Sequence, residues 1–408
     1  VNLASWGLYP KVNSNITYLE NTPQSSKLFP AKRYTIPYGN GRSYGDSALS
    51  ENIIYCKPRN LFLNFDPQTG LLCCESGTLL SEILDVFVPR GWFLEITPGT
   101  KLITVGGAIA SDVHGKNHHI AGCFSECVEK FTLLTPDGKI NSIHKNDDFF
   151  LATCGGMGLT GVILDATIKL KKISSRFINQ TTIKTANLQE TFKAFEQYKG
   201  TPYSVAWIDC LASGKKLGRC LLMTGDFDND GDLNYQEKFK LNVPFLFPSF
   251  ALNKLSVSAF NMLYYAKSKK GLSNQRVDID TFFYPLDAIH NWNRIYGKTG
   301  FTQYQFILPK ESSFQGLTDI LSAISKSGKG SFLAVLKLYG PANKNWLSFP
   351  IEGYSLALDF KIEPTLFPLL EELDKLVIQY GGRVYLTKDT RISKSNFEVG
   401  YPDIDRFR

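Results

Sequence analysis

Glycine is concentrated in three dense segments of this chain, and that distribution restricts the fold more than any other feature. The first segment is Pro37-Tyr38-Gly39-Asn40-Gly41-Arg42-Ser43-Tyr44-Gly45-Asp46. The second runs Pro98-Gly99-Thr100, then Thr104-Val105-Gly106-Gly107-Ala108, then Ser111-Asp112-Val113-His114-Gly115-Lys116. The third is Gly155-Gly156-Met157-Gly158-Leu159-Thr160-Gly161. A residue without Cβ lets backbone N–H groups come close to a phosphate. Separated segments of this kind suit a pyrophosphate held from two sides, with helix N-termini nearby. Either of the first two alone reads as tight turns; the ordered set reads as one composite binding site. A Rossmann loop is excluded, because Gly39-x-Gly41-x-x-x-Gly45 has the wrong spacing for GxGxxG. A Walker loop is excluded as well, since no GxxxxGK[ST] occurs.

A length of 408 residues exceeds one simple core and predicts two domains, or one domain with a large insertion. Hydrophobic residues at 43% and charged residues at 20% fit a globular chain. The net charge of +7 is spread out, with a short cluster at Lys267, Lys269 and Lys270. It serves solubility, or attracts anionic substrates and lipid head groups. No basic stripe accompanies a nucleic-acid motif, so nucleic acid is set aside. The eight cysteines are too sparse for a disulfide scaffold, and none forms a CxxC pair. They read as buried free thiols. No apolar run approaches the roughly 20 residues of a spanning helix. No signal-peptide pattern opens the chain, although it begins at Val1.

Up to about residue 171 the pattern is α+β with many turns. Strands are expected at 60–65, 71–75, 128–134, 140–143 and 159–171, and a helix at 78–88 behind a Thr cap. Further on, strands are expected at 203–209, 219–225, 302–308, 331–338 and 355–362, with helices at 188–198, 311–326 and 365–380. Strands with helices on one side fit an α+β sheet domain. The stretch 242–270 is rich in Phe, Leu and Tyr, is broken by Pro244 and Pro248, and ends in lysines. It reads either as core or as a mobile flap that touches something apolar.

In order along the chain, the stretches GRSYGD (41–46), PGT (98–100), TVGGAI (104–109), HGKNHH (114–119), GLTG (158–161), SVAWID (204–209), QYQF (303–306), KLYGP (337–341) and TKDTR (387–391) resemble the vanillyl-alcohol-oxidase-type FAD-binding fold. Within that fold they are most similar to the decaprenylphosphoryl-β-D-ribose 2-oxidase family. The resemblance covers nearly the whole chain. It implies an α+β protein with a two-subdomain FAD-binding domain (1–171), an inserted α/β sheet domain for substrate (172–380) and a C-terminal segment (381–408) returning to the first domain. It implies that Gly39 to Asp46 and Thr104 to Gly107 cradle the pyrophosphate, with Pro37, Tyr38, Gly99 and Thr100 completing that set. Ser111, Asp112, Val113, His114 and Gly115 would lie near the flavin, Val162 would meet the adenine end through its backbone, and Tyr385 would touch the isoalloxazine. Many relatives attach FAD through a histidine in the first glycine segment. Here that slot reads Gly41-Arg42-Ser43, so non-covalent FAD is expected. Cys123 and Cys127 are the nominees for a second attachment; two small buried thiols is the preferred reading.

The same resemblance implies oxidation of the 2-hydroxyl of a polyprenylphosphoryl ribose to a 2-keto sugar. An NAD(P)H-dependent short-chain reductase would complete the epimerisation towards an arabinose donor, with a quinone or oxygen as electron acceptor. The protein would then sit in the cytoplasm or periplasm, peripheral to the inner membrane. Such an oxidation needs a hydride acceptor and a base near the hydroxyl with a pKa close to working pH. A desolvated lysine can serve. Lys388 matches the family's active-site lysine and is assigned as base or hydroxyl-orienting cation; Lys337 matches a second pocket lysine. His114 is the rival base, but its glycine-rich setting favours a structural role beside the flavin. Gln303 and Gln305 share one face of a strand, with Tyr304 on the other, and their amides suit ribose hydroxyls. Trp207 reads either as packing against the sugar or flavin edge or as an ordinary buried core Trp, and Tyr44 is placed at the pocket mouth. His118 and His119 would point apart on a strand, so no metal site is expected.

Two departures from the family stand out. Ser355 and Ala357 replace an Asn and a Cys in a pocket strand, which leaves the oxidation intact but bears on sugar specificity. The family also continues past the Tyr401-Pro402 match, so a further C-terminal stretch is expected. An HWxK-type motif, carried near the C-terminus by aldonolactone and alditol oxidases, does not occur, which counts against a soluble sugar oxidase. Asp226-x-Asp228-x-Asp230-Gly231-Asp232-x-Asn234-x-x-Glu237 fits the EF-hand pattern, but a strand precedes it and no second hand is visible.

Overall fold

The computed structural model describes every residue except 21–27, 30–33, 230, 237–239, 249 and 269–270. Three sheets organise the molecule. A small parallel sheet places strand Asn52–Tyr55 between Asn15–Tyr18 and Thr35–Tyr38. A six-stranded antiparallel sheet centres on the long strand Val162–Lys172. The third is an eight-stranded antiparallel sheet, running from the edge strand Leu272–Asp278 to Arg383–Val384.

The large sheet has two distinct faces because side chains alternate along each strand. One face packs against the helices Leu188–Tyr198, Lys310–Ser327 and Leu366–Gln379, burying Phe306, Leu308, Leu336, Leu356 and Leu358. Local signals set these helices. Asn187 caps the first by accepting from the Glu190 N–H at 2.9 Å. Gly328 ends the second in the left-handed region, at φ +70°. The other face carries Gln180, Val205, Trp207, Gln303, Gln305, Val335, Lys337 and Ser355 and forms one wall of the central cavity.

Besides the two-residue Arg383–Val384, two strands of this sheet escape the sequence reading: Phe177–Thr185 and Leu272–Asp278. Their sequences, FINQTTIKT and LSNQRVD, lack apolar alternation. The reason is that Gln180 and Gln275 face the cavity instead of a core. The stretch 242–270 contains the helix Lys254–Lys267, capped by Asn253, which accepts from Leu255 and Ser256. His118 and His119 also differ from expectation. They open a single helical turn, His118–Ala121, where His118 Nδ1 accepts from the Gly340 N–H and His119 Nε2 bonds the Thr201 carbonyl.

Three described acidic residues of the 226–237 pattern have protein partners. Asp226 accepts from the Phe227 N–H, Asp228 pairs with Arg276 at 2.7 Å, and Asp232 pairs with Arg176 at 3.4 Å. Asp230 and Glu237 lie outside the described residues, as do Lys269 and Lys270. Among the described residues no group of acidic, His and Cys side chains is arranged to hold a metal.

Candidate active site

A cavity of about 750 Å³ lies between the glycine segments and the polar face of the large sheet. The glycine-rich loops of the first 171 residues form one wall. The segment Tyr385, Thr387 and Lys388 closes one side, and Phe260 and Tyr264 of the helix Lys254–Lys267 another.

The glycines are demanded by close packing. A Cβ at Gly39 would come 2.6 Å from Thr104 Oγ1, so the first and second glycine segments touch there. A Cβ at Gly106 would meet Ser76 at 3.0 Å, and Gly41 needs φ +60°. The backbone N–H groups from Asn40 to Tyr44 bond to no other described residue, while Gly39 to Tyr44 line the cavity. Ser76 Oγ, on the same wall, is buried with no partner among the described residues. Unsatisfied donors beside bare glycines are what a phosphate-bearing cofactor requires, so this cradle fits FAD. The first helical turn after Thr104 contributes less than the sequence suggests. Its N–H groups at Val105, Gly106 and Gly107 are already taken by Thr78, Ser76 and Thr104.

Most residues expected around the cofactor do line the cavity: Pro37, Gly99, Thr100, Ser111, Val113 and His114 in addition to those above. Seven do not. Tyr38, Gly45, Asp46, Val105, Asp112, Gly115 and Val162 are absent from its wall. Val162 is buried in a cluster with Ile54, Leu134 and Leu164, and its neighbours Gly161 and Ile163 face the cavity instead. Asp112 is a hidden joint. At φ +38° it accepts from the Ser125 N–H, Asn343, Asn345 and Ser348, the last at 2.6 Å, locking the Ser111–His114 turn to a distant loop. Gly45 and Asp46 hold the C-terminal segment. Their N–H groups donate to the Thr387 and Asp389 carbonyls at 3.0 and 3.1 Å, and Ser43 Oγ donates to the Thr387 carbonyl at 2.6 Å. Cys123 and Cys127 are buried thiols away from the wall.

That docking places Lys388 inside the cavity. Its Nζ lies 3.7 Å from the centre of the Tyr44 ring. Tyr44 is therefore no mouth residue. It is buried in an aromatic cluster with Trp292 and Phe301, and it forms the bed on which the ammonium rests. Burial pushes Lys388 and Lys337 down to about 8 each, although both keep contact with the cavity. His114 is packed among Tyr339, Phe349 and Tyr385, and burial with the nearby lysines holds it well below the usual histidine range. It is thus a neutral ring, Nε2 against Gln305 at 3.2 Å, and a poor proton acceptor. Tyr385 donates to the Ser111 carbonyl at 3.0 Å, tying the two segments together.

The glutamines are oriented from behind. Gln303 Nε2 donates to Asp359 at 2.5 Å, and Gln305 Nε2 approaches Ser355 Oγ at 3.3 Å. With the amide nitrogens committed to the sheet, the amide oxygens are the atoms left to receive hydroxyl donors. Trp207 donates to the Phe332 carbonyl at 3.0 Å and packs on Tyr264, so its ring is a fixed wall. Sequence reasoning missed two groups here. Lys116, quoted only as part of a motif, is pushed down to about 7 by burial and lies over the Phe282 ring. Asp359, fully buried with one oxygen unpartnered, is pushed up to about 7 and faces Lys388 electrostatically. A sequence signal was present in Asp359 itself, an acidic residue between Leu358 and Phe360 within the expected strand 355–362; its register opposite Gln303 is seen only in the structure.

The comparisons agree with this geometry. Residues 30–143 match the family described as FAD binding domain. The molecule is thereby an FAD-dependent oxidoreductase of the α+β class. Over 391 residues it is 36% identical to the decaprenylphosphoryl-β-D-ribose oxidase of Mycolicibacterium smegmatis, covering 92% of this chain and 85% of that one. The chain belongs to this oxidase family. It is also 28% identical to an uncharacterised Streptomyces coelicolor protein, over 81% of this chain and 94% of that protein. A shorter match, 26% over 118 residues, links it to a D-lactate dehydrogenase of Anaerostipes hadrus, covering 27% of this chain and 25% of the dehydrogenase.

Proposed function

We propose that this enzyme oxidises the 2-hydroxyl of a polyprenylphosphoryl-β-D-ribose to the 2-keto sugar. The observation that carries the reading is the meeting of Lys388, Lys337, Gln303 and Gln305 in the one cavity that also holds the bare glycine cradle. On this reading residues 1–171 and 381–408 hold the cofactor, and residues 172–380 receive the substrate. Bound FAD supplies the hydride acceptor. Lys388, neutral above about 8, takes the proton from the hydroxyl. Lys337 faces the sugar or its phosphate, the glutamine oxygens accept its other hydroxyls, and Trp207 walls its apolar side. Ser355 and Ala357, both on the cavity wall, leave this part of the pocket roomier and less polar than an Asn and Cys pair would. An NAD(P)H-dependent short-chain reductase would return the ketone to the epimeric alcohol, and a quinone or oxygen would accept the electrons. No helix among the described residues is long and apolar enough to cross a membrane, which is compatible with peripheral attachment.

The test is anaerobic. Farnesyl- or decaprenyl-phosphoryl ribose should bleach the flavin, and mass spectrometry should find a product two hydrogens lighter with the ketone at the second carbon. Bleaching by simple alditols but by no ribosyl lipid would reverse the assignment towards a soluble sugar oxidase.

Two further results are expected. Acid precipitation should leave all the FAD in the supernatant and a protein mass equal to the bare chain, because no histidine occupies positions 41–43. Asp359→Asn should move the acid limb of the pH–rate profile downwards. The ionised carboxylate raises the pKa of Lys388, so its removal lets the lysine lose its proton at lower pH. An unmoved or upward-shifted limb would break that link.

A further inference from the structure

We propose that the outer face of the helix Lys254–Lys267 is a docking surface for an anionic lipid bilayer, through which a substrate's lipid chain reaches the cavity. The second half rests on the substrate reading above; the first does not.

The helix has two apolar faces, and only one is covered. Val257 and Asn261 face inward, where Asn261 donates to the buried Asp209 at 2.9 Å. Tyr264 packs on Trp207 with ring centres 4.9 Å apart, and Phe260 packs on Phe332. Tyr265 donates to the Thr185 carbonyl at 3.0 Å. The helix is therefore firmly seated. Its opposite face repeats at helical spacing as Leu255, Ala259, Met262, Leu263 and Ala266, all exposed. Leu255 is 81% exposed and Leu263 66%. Just ahead of the helix, Phe245, Leu246 and Phe250 are exposed as well. A continuous apolar stripe of this kind marks an interaction site on a soluble chain.

Charge selects the partner. From Leu241 to Val277 the sequence holds no acidic residue but has Lys254, Lys267, Lys269, Lys270 and Arg276. Lys254 and Lys267 flank the stripe at its two ends. An apolar stripe framed by cations matches an interfacial helix on an anionic membrane, with lysine stems buried and ammonium groups at the phosphates. A protein partner would need acidic complementarity and no apolar depth beyond the stripe. Position supports the lipid. Phe260, Tyr264 and Lys267 of this helix line the cavity that holds Lys388. A bilayer touching the outer face would lie one helix diameter from the substrate wall.

The test uses the FAD-loaded enzyme and sedimentation with vesicles of phosphatidylcholine, with or without phosphatidylglycerol. Binding should be at least about tenfold stronger to the anionic vesicles and should weaken with salt. The double variant Leu255→Asp/Leu263→Asp should lose about tenfold or more of that binding. It should keep its FAD and its turnover of a short-chain prenylphosphoryl ribose, since neither residue lines the cavity. Failure of the wild-type enzyme to bind any vesicle would overturn the proposal, as would undiminished binding by the double variant. A wild-type dimer that the double variant converts to monomer would assign the face to a second copy and overturn it too. If vesicles bind but no ribosyl lipid is oxidised, the docking surface stands and the substrate reading falls.

Discussion

Lys388→Met is expected to retain FAD and to lower the rate of substrate-driven flavin bleaching by about 10²–10⁴-fold, the range that a positioned proton acceptor contributes. Methionine keeps the unbranched length and the contact with Tyr44 but cannot carry a proton. The lysine is well placed for the task. Burial brings it down to about 8, and the Tyr44 ring 3.7 Å away steadies it when charged. The sign of the pH dependence separates its two possible duties. As a base it must be neutral, so the wild-type rate should rise about tenfold per pH unit up to about 8 and then level off. As an orienting cation it must be charged, and the rate would instead fall above that point. The groups facing it are Asp359, Lys337, His114 and the Tyr44 ring. Stopped-flow reduction across this pH range reads out both the loss and the limb. A Lys388→Met enzyme with wild-type reduction rates would remove the lysine from the chemistry.

Gly45→Val is expected to reduce turnover by about 10²-fold, the loss that misplacing a reacting group by an ångström can cause. Any Cβ there would lie 2.2 Å from the Asp389 carbonyl oxygen and 2.9 Å from its nitrogen. These are backbone atoms and cannot swing aside as a side-chain tip would. The segment carrying Lys388 must therefore move away from the glycine loop, at an overpacking cost of about 1–3 kcal/mol. Gly45 does not line the cavity, so FAD content should change far less than turnover. Gly200→Ala, where no atom lies within 4 Å of the added carbon, serves as the control. A Gly45→Val enzyme with normal turnover would show that the segment is free to adjust.

The sequence carried the site unevenly, and chemistry explains the pattern. Glycines at a phosphate cradle and lysines at an oxidation site have few substitutes, so their types and spacing survive as a readable signal. Gln303 and Gln305 were legible because they alternate against the core residue Tyr304. The strands Phe177–Thr185 and Leu272–Asp278 were illegible because they turn polar groups to the cavity and so lose the period on which strand reading depends. Asp112 sits inside the expected flavin-facing stretch, yet its work is done through Asn343, Asn345 and Ser348, more than two hundred residues away. Asp359 acts through Gln303 and Lys388, and Tyr44 through Lys388. Such roles belong to tertiary pairs, which a linear reading does not display.

The bonds from Ser43, Gly45 and Asp46 to Thr387 and Asp389 have a temporal consequence. On a ribosome the glycine loop emerges more than three hundred residues before the lysine it must grip. Domains fold as units from the N-terminal side during synthesis, so the cradle can form early and then wait. Until residues 385–391 emerge it would be a cleft lined by the glycine segments with no Lys388 beside it. On the proposed function, chemistry waits until the segment carrying Lys388 closes on the first glycine segment, and loops that long close slowly. On the proposed function, a chain cut just before Tyr385 would keep the glycine segments but lack Lys388, and could hold the cofactor without turning over.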